Sequence, residues 1–326
     1  MKTGFYSGDN LKMVAEDIPA LQPTFFPSVP RLYNRIYGKI QDKLKEATGF
    51  KGKLVQSAIK TKMDNLLRTG AVTHCLWDKI VFKKMKALLG GRVRLMLTGS
   101  APISAEVLNF LKICFCCDLC EGYGMTETSA GSCITKMGDK TSGHVGGPVA
   151  NVKIRLRDIP EMNYLSTNAT PEGEICFWGP SIMKGYFKNE EKTNECLIDG
   201  WLHSGDVGRI NPENMSLKII DRAKNIFKLS QGEYIAPEKL ENVYVQSEYV
   251  AQCWVYGDSL RDYIIMFIVV DPEKAKKFGT VDDKLMSDDK FRETVLEDLK
   301  RLADANKFNS LEKPKQIKLL KDPWTD

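Results

Sequence analysis

With 326 residues, 43% of them hydrophobic, the chain can bury one large core and a smaller second one, which sets two domains as the expectation and excludes a disordered chain. A net charge of +5 is mild and no basic–aromatic interleaving accompanies it, so nucleic acid is not an expected partner. Nine cysteines, an odd number in a chain this long, fit a reducing compartment better than a disulfide scaffold, and the lack of any apolar run of about eighteen residues or of a signal-like start at Met1-Lys2-Thr3-Gly4 predicts neither a membrane span nor secretion.

Charge is unevenly placed: Arg31 to Arg68 holds ten Lys/Arg against three Asp/Glu. Within that stretch Val29, Leu32, Ile36, Ile40 and Leu44 recur at helical spacing, with Arg31, Arg35, Lys39 and Lys43 largely off the stripe, which predicts a core-facing helix with a solvated basic face. Weak association of the 31–68 stretch with an anionic membrane surface is the alternative. Val93 to Leu97 then reads as a strand, Ser104 to Ile113 as a helix and Phe115 to Glu121 as a strand, the order of an α/β layer over residues 1–150 with ligands at strand ends. Cys114, Cys116, Cys117 and Cys120 invite a redox or zinc reading, but no second ligand pair stands near them and small buried hydrophobes are expected there. Residues 151–221 turn β-rich through Val152–Leu156, Glu174–Trp178 and Ser216–Ile220, which predicts a barrel-like subdomain. Ile264 to Val270 is a buried-strand candidate, and Phe291, Val295, Leu299 and Leu302 share one helix face, together making a small α+β unit.

Chemistry concentrates in Gly122-Tyr123-Gly124-Met125-Thr126-Glu127-Thr128. Two glycines admit a ligand close to the backbone, a tyrosine offers a flat face for a base, and Thr126 and Glu127 add a hydroxyl and a carboxylate suited to phosphate and a hard metal. Taken singly, such strings are usually turns, caps or surface ion pairs. This one is flanked in fixed order by Gly99-Ser100-Ala101-Pro102, by Gly200-Trp201-Leu202-His203-Ser204-Gly205-Asp206 and by Ile219-Ile220-Asp221-Arg222-Ala223-Lys224. The four together resemble the adenylate-forming (AMP-binding) superfamily. Gln231-Gly232-Glu233-Tyr234-Ile235-Ala236-Pro237-Glu238, Leu21-Gln22-Pro23-Thr24 running to Pro30-Arg31-Leu32, Gly90-Gly91-Arg92-Val93-Arg94 and Glu161-Met162-Asn163-Tyr164 resemble its long-chain fatty acyl-CoA synthetases in particular.

That resemblance implies a fold and a reaction. The fold is an α/β layer plus β-barrel-like subdomain in a large N-terminal domain, partial here and covering 1–221, then a hinge at 222–226 and a small, incomplete α+β C-terminal domain at 227–326. The reaction is ATP-dependent activation of a long-chain fatty acid to an acyl-adenylate and transfer to coenzyme A, with ATP, Mg²⁺ and CoA required. Nucleotide binding falls to Gly99, Ser100, Ala101, Pro102, Glu121, Gly122, Tyr123, Gly124, Thr126, Asp206 and Arg222. Tyr123 would stack on adenine, Asp206 would accept from both ribose hydroxyls, and Arg222 would reach ribose or phosphate. Thr126 and Glu127 are the catalytic pair, Glu127 also the metal ligand, with Lys224 the hinge residue and Gln231, Gly232 and Glu233 the CoA-side loop. A hydrolase triad from His203, Ser204 and Asp206 is discounted because triads are assembled across a fold, and His144 reads as a turn residue. The Ser/Thr/Gly-rich phosphate loop and the C-terminal lysine of such synthetases are not found in residues 1–326, so a fragment with impaired activity is expected, any membrane anchor belonging to the N-terminal part. Location on the cytosolic face of the endoplasmic reticulum, the mitochondrial outer membrane or in the peroxisome follows from the resemblance, with an adenylating enzyme for another acceptor, or a catalytically dead nucleotide- or acyl-binding module, as rivals.

Overall fold

The computed structural model describes residues 3–5, 8 and 16–324. Its first sheet has the order β1-β2-β3-β4-β5. Strands β1 (Phe25–Ser28), β2 (Leu95–Thr98) and β3 (Asp118–Tyr123) run parallel, while β4 (Cys133–Ile134) and β5 (Gly147–Pro148) close the edge antiparallel. Parallel strands need long crossovers, and helices α1 (Pro30–Lys45), α2 (Gly49–Thr69) and α3 (Ala105–Phe115) lie in those crossovers.

Helix α1 begins with Pro30 at its first turn, where a missing N–H costs nothing, and buries Tyr33, Ile36 and Ile40. The Tyr33 hydroxyl donates to the carbonyls of Phe26 on β1 (2.8 Å) and Leu97 on β2 (3.2 Å), pinning the helix across two strands, and burial pushes that phenol well above its ordinary value. The basic stretch is not all solvated. Lys62 on α2 is fully buried, donating to Asp78 Oδ1 (2.6 Å), the Ile113 carbonyl (2.7 Å) and Cys116 Sγ (3.1 Å), with its ammonium 4.3 Å from the Phe82 ring centroid. A buried lysine needs such partners, and Asp78 supplies the charge. Burial pushes the Asp78 carboxyl up, but the bonds from Lys62 and the His74 N–H outweigh it and hold it below its usual value.

Helix α3 is capped by Ser104, whose Oγ accepts the Val107 N–H at 3.2 Å, and runs two residues further than its sequence pattern indicates, to Phe115. Cys116 ends it in the left-handed conformation at φ 53°. Accordingly β3 starts at Asp118 rather than Phe115, and β2 starts at Leu95, paired with Phe25, rather than at Val93. Cys114, Cys116, Cys117 and Cys120 are buried thiols, and burial raises the pKa of each.

A second sheet has the order β10-β9-β7-β6, from β6 (Lys153–Arg157), β7 (Glu172–Trp178), β9 (Trp201–Ile210) and β10 (Leu217–Arg222), with the two-residue β8 (Leu197–Ile198) beside β9. A short hairpin, β11 (Phe227–Lys228) and β12 (Tyr234–Ile235), precedes helix α4 (Pro237–Tyr244). Beyond it β13 (Val250–Gly257), β14 (Ile264–Val270) and β15 (Gln316–Leu320) form a sheet covered by helix α5 (Asp289–Ala305). Phe291, Val295, Leu299 and Leu302 of α5 are all buried, as their spacing indicates.

The chain divides into two compact units. One comprises the described residues up to Ile154 with Phe177–Leu202 and Asn211–Lys218, and the other Arg155–Cys176, His203–Ile210 and 219–324. Among the described residues no helix is long and apolar enough to cross a membrane.

Candidate functional site

In the first unit the C-terminal ends of β2 and β3 lie side by side, with Thr98 paired to Glu121. Immediately beyond, the chain leaves β2 through Gly99 and Ser100, the latter at φ 72°, and passes Ala101 and Pro102 to reach the α3 cap. A side chain on Gly99 would stand 3.1 Å from the Gly122 carbonyl, and one on Gly124 would stand 1.6 Å from the Ala130 carbonyl. Gly99 and Gly122–Gly124 are therefore brought together as a backbone-lined edge at the carboxyl ends of parallel strands, where open α/β sheets bind ligands.

Tyr123 is half-buried, its ring centroid 5.9 Å from that of Phe177 at 37°, so one flank of the phenol is already packed. Glu121 is buried, and burial pushes its carboxyl up to about 8 against the opposing pull of the Ile103 N–H, Lys112 and Lys218. Below that pH it is neutral and can donate as well as accept.

After β3 the backbone folds into a single 3₁₀ turn, Thr126–Thr128. Buried Thr128, which the sequence reading did not single out, makes this turn: its Oγ1 accepts from the Met125 N–H (3.1 Å) and lies 3.0 Å from the Met125 carbonyl. Thr126 is left exposed at the turn's start. Glu127 accepts at Oε1 from the Tyr186 hydroxyl (2.7 Å), and its carbonyl accepts the Met183 N–H (2.8 Å). Sequence reasoning missed Tyr186 because 59 residues separate the pair. A single half-buried carboxylate steadied by a phenol suits Mg²⁺, which takes one or two protein carboxylates and completes its shell with phosphates and water.

In the second unit β9 carries Asp206. The chain bends at Gly205, φ 73°, whose N–H donates to Glu174 Oε1 (3.1 Å) and whose carbonyl accepts the Ala223 N–H (2.8 Å). Ser204 donates through Oγ to the Ile175 carbonyl (2.7 Å) and accepts the Asp206 N–H (3.1 Å), so it is a backbone brace rather than a nucleophile. Arg222, largely exposed, brings Nε to 3.8 Å from Asp206 Oδ1 and 3.9 Å from Glu238 Oε1. Its neighbour Asp221 is fully buried, accepting the Arg222 N–H (2.6 Å) and the Glu238 N–H (2.8 Å) in the first turn of α4; burial pushes its carboxyl up to about 7. Lys224 is exposed on a tight turn in which the Asn225 and Ile226 N–H groups both bond to the Arg222 carbonyl. Gln231, Gly232 and Glu233 form the exposed tip of the β11–β12 hairpin, with Gly232 at φ 91°.

Glu174, Cys176 and His203 lie close enough to suggest a metal-ligand set. The carboxylate is already taken by Arg157 Nε (2.7 Å), His203 Nδ1 (3.0 Å) and the Gly205 N–H, while burial and then Glu174 push the Cys176 thiol up to about 11. A neutral thiol beside an arginine-bound carboxylate is a poor cation site. His144 is buried at a turn, accepting the Gly146 N–H at Nδ1 (3.0 Å) with Nε2 2.8 Å from Thr141 Oγ1, and burial holds it below its ordinary value.

Residues 1–187, more than half of the chain, match the family described as AMP-binding enzyme. The chain belongs to the AMP-binding enzyme family. This AMP-binding chain is 46% identical over 99% of its length to "Long chain acyl-CoA synthetase 7, peroxisomal" of Arabidopsis thaliana, covering 47% of that protein. It is 47% identical over 99% of its length to "Long-chain-fatty-acid--CoA ligase 5" of Rattus norvegicus, covering 48%. It thus spans about half the length of the curated relatives it matches. Its fold resembles the A domain of carboxylic acid reductase from Segniliparus rugosus, solved in complex with AMP and a co-purified carboxylic acid, with a TM-score of 0.73 and 28% identity over 98% of this chain and 45% of that one. The fold is that of the adenylate-forming N-terminal domain, α/β with a curled half-barrel sheet.

Proposed function

We propose that this AMP-binding protein activates long-chain fatty acids with ATP and passes the acyl group to coenzyme A. The observation that carries the reading is the edge where β2 and β3 end side by side, because the carboxyl ends of parallel strands are where open α/β sheets bind nucleotides; Gly99 and Gly124 let the chain's own Gly122 and Ala130 carbonyls pack close at that edge. Names of relatives at 46–47% identity supply the substrate class.

In this reading Tyr123 stacks on adenine, with Ser100, Ala101, Pro102 and the Glu121 segment lining the base edge. Asp206 accepts from both ribose hydroxyls, and Arg222 reaches ribose or phosphate. Thr126 holds the α-phosphate, and Glu127 would hold Mg²⁺, which when bound supplies charge neutralisation for the phosphates. A fatty-acid carboxylate oxygen attacks the α-phosphorus as the bond to pyrophosphate breaks; the CoA sulfur then attacks the acyl carbonyl and AMP leaves. The two steps need different groups at one place, which assigns 1–221 and 227–326 as domains turning about Lys224 in a 222–226 hinge, with Gln231, Gly232 and Glu233 facing CoA. Peroxisomal location, one of the options, is consistent with the names of two relatives.

The likeness to a carboxylic acid reductase domain favours a second reading, adenylation for another acceptor. One assay separates them: ATP, Mg²⁺, palmitate and either CoA or hydroxylamine are supplied. Palmitoyl-CoA supports the ligase reading; palmitoyl hydroxamate without any palmitoyl-CoA overturns it in favour of the second.

A further inference from the structure

We propose that Glu174 is a positioning residue for the ribose contact of Asp206, an inference that rests on the reading of Asp206 just given. Asp206 sits one residue after Gly205, whose left-handed φ of 73° leaves the backbone free to swing unless something holds it. Glu174, on the neighbouring strand β7, adds a hold to the one that the Ala223 N–H gives the Gly205 carbonyl (2.8 Å). It is buried, and its two oxygens take three donors: the Gly205 N–H at Oε1 (3.1 Å), and His203 Nδ1 (3.0 Å) and Arg157 Nε (2.7 Å) at Oε2. Two of those donors, His203 and Gly205, bracket the bend on β9 that presents Asp206. Because the carboxylate offers only acceptors to the ring, Nδ1 carries a hydrogen and the ring is oriented toward Glu174. Ser204, between them, is tied to the Ile175 carbonyl on the same β7 segment. Every residue from His203 to Gly205 is therefore bonded to Glu174 or its neighbour, and the last free step before Asp206 is removed. A neutral amide at 174 would keep an acceptor for one N–H but lose the charge that Arg157 pairs with and the capacity to serve three donors.

The test compares binding of ATP and of 2′,3′-dideoxy-ATP by calorimetry, since only the ribose hydroxyls distinguish them. The native protein is expected to prefer ATP by about tenfold or more, the effect of losing charge-assisted hydrogen bonds. Glu174→Gln is expected to bring the ratio to within about twofold while affinity for the dideoxy nucleotide stays near native, and to add nothing further in an Asp206→Asn background. A change in fold alone would weaken both nucleotides alike. If Asp206→Asn leaves the ratio at its native value, the ribose reading itself fails. If Asp206→Asn collapses the ratio but Glu174→Gln does not, the positioning role is overturned and the ribose reading stands. Should Glu174→Gln fail to melt cooperatively, Arg157→Gln, at a largely exposed residue, carries the test: a ratio lowered about threefold supports the role, and an unchanged ratio overturns it.

Discussion

Glu121 shows how a residue can be named from its string and still surprise in its state. The motif places it beside Gly122, but the structure buries it against α3 with its carboxyl pushed up to about 8. A folded value above the unfolded one, near 4.5, means that the stability it contributes is complete below about pH 4.5 and is lost as pH rises through about 8. Glu121→Gln is therefore expected to flatten the fall in stability across that window and to be more stable than the native protein at pH 9, read from urea midpoints at several pH values. An unchanged slope would mean the carboxyl titrates normally. Thr126, Glu127, Asp206 and Arg222 could be proposed from sequence because each sits inside a short ordered string. Tyr186 and Glu174 were not, because their partners lie 59 and 29 residues away and only pairing of the loop or strand brings them together. Glu127→Gln is expected to leave ATP affinity near native without metal while raising the Mg²⁺ concentration needed for adenylation, since one hard anionic ligand is lost. An unaltered Mg²⁺ dependence would remove Glu127 from the metal role.

At the scale of elements, period and composition carried the α/β order, the β-rich segment and the strand at Ile264–Val270, whose bounds agree with the structure. Boundaries were less legible where a cap decides them. The left-handed turn at Cys116 lets α3 run through Phe115, and no glycine announces it. The helical stripe on α1 was readable except at Val29, which caps the helix and is exposed, but Lys62 on α2 was not, since nothing local tells a lysine that will face Asp78 and the Ile113 carbonyl from one that will face water. Lys62→Met is expected to destabilise the first unit by about 2 to 4 kcal/mol, because Asp78 loses its partner; the double variant Lys62→Met, Asp78→Leu is expected to recover part of the loss. Denaturation midpoints that do not differ between single and double variants would show that the pair is not coupled.

For the whole molecule, the proposed two-step reaction gives a reason for movement about 222–226. Lys224→Pro is expected to damage one half-reaction more than the other, because a fixed φ favours one of the two geometries. Equal loss of both, with normal melting, would argue against a hinge there. If an ATP bound at the β2–β3 edge is attacked by a fatty acid, as proposed, exchange of labelled pyrophosphate into ATP measures that step directly. With Mg²⁺, exchange is expected to require palmitate, to run slowly because residues 1–326 contain no Ser/Thr/Gly-rich phosphate loop, and to fall about a hundredfold or more in Asp206→Ala. ATP binding with no palmitate-dependent exchange, or exchange indifferent to Asp206→Ala, would contradict that proposal.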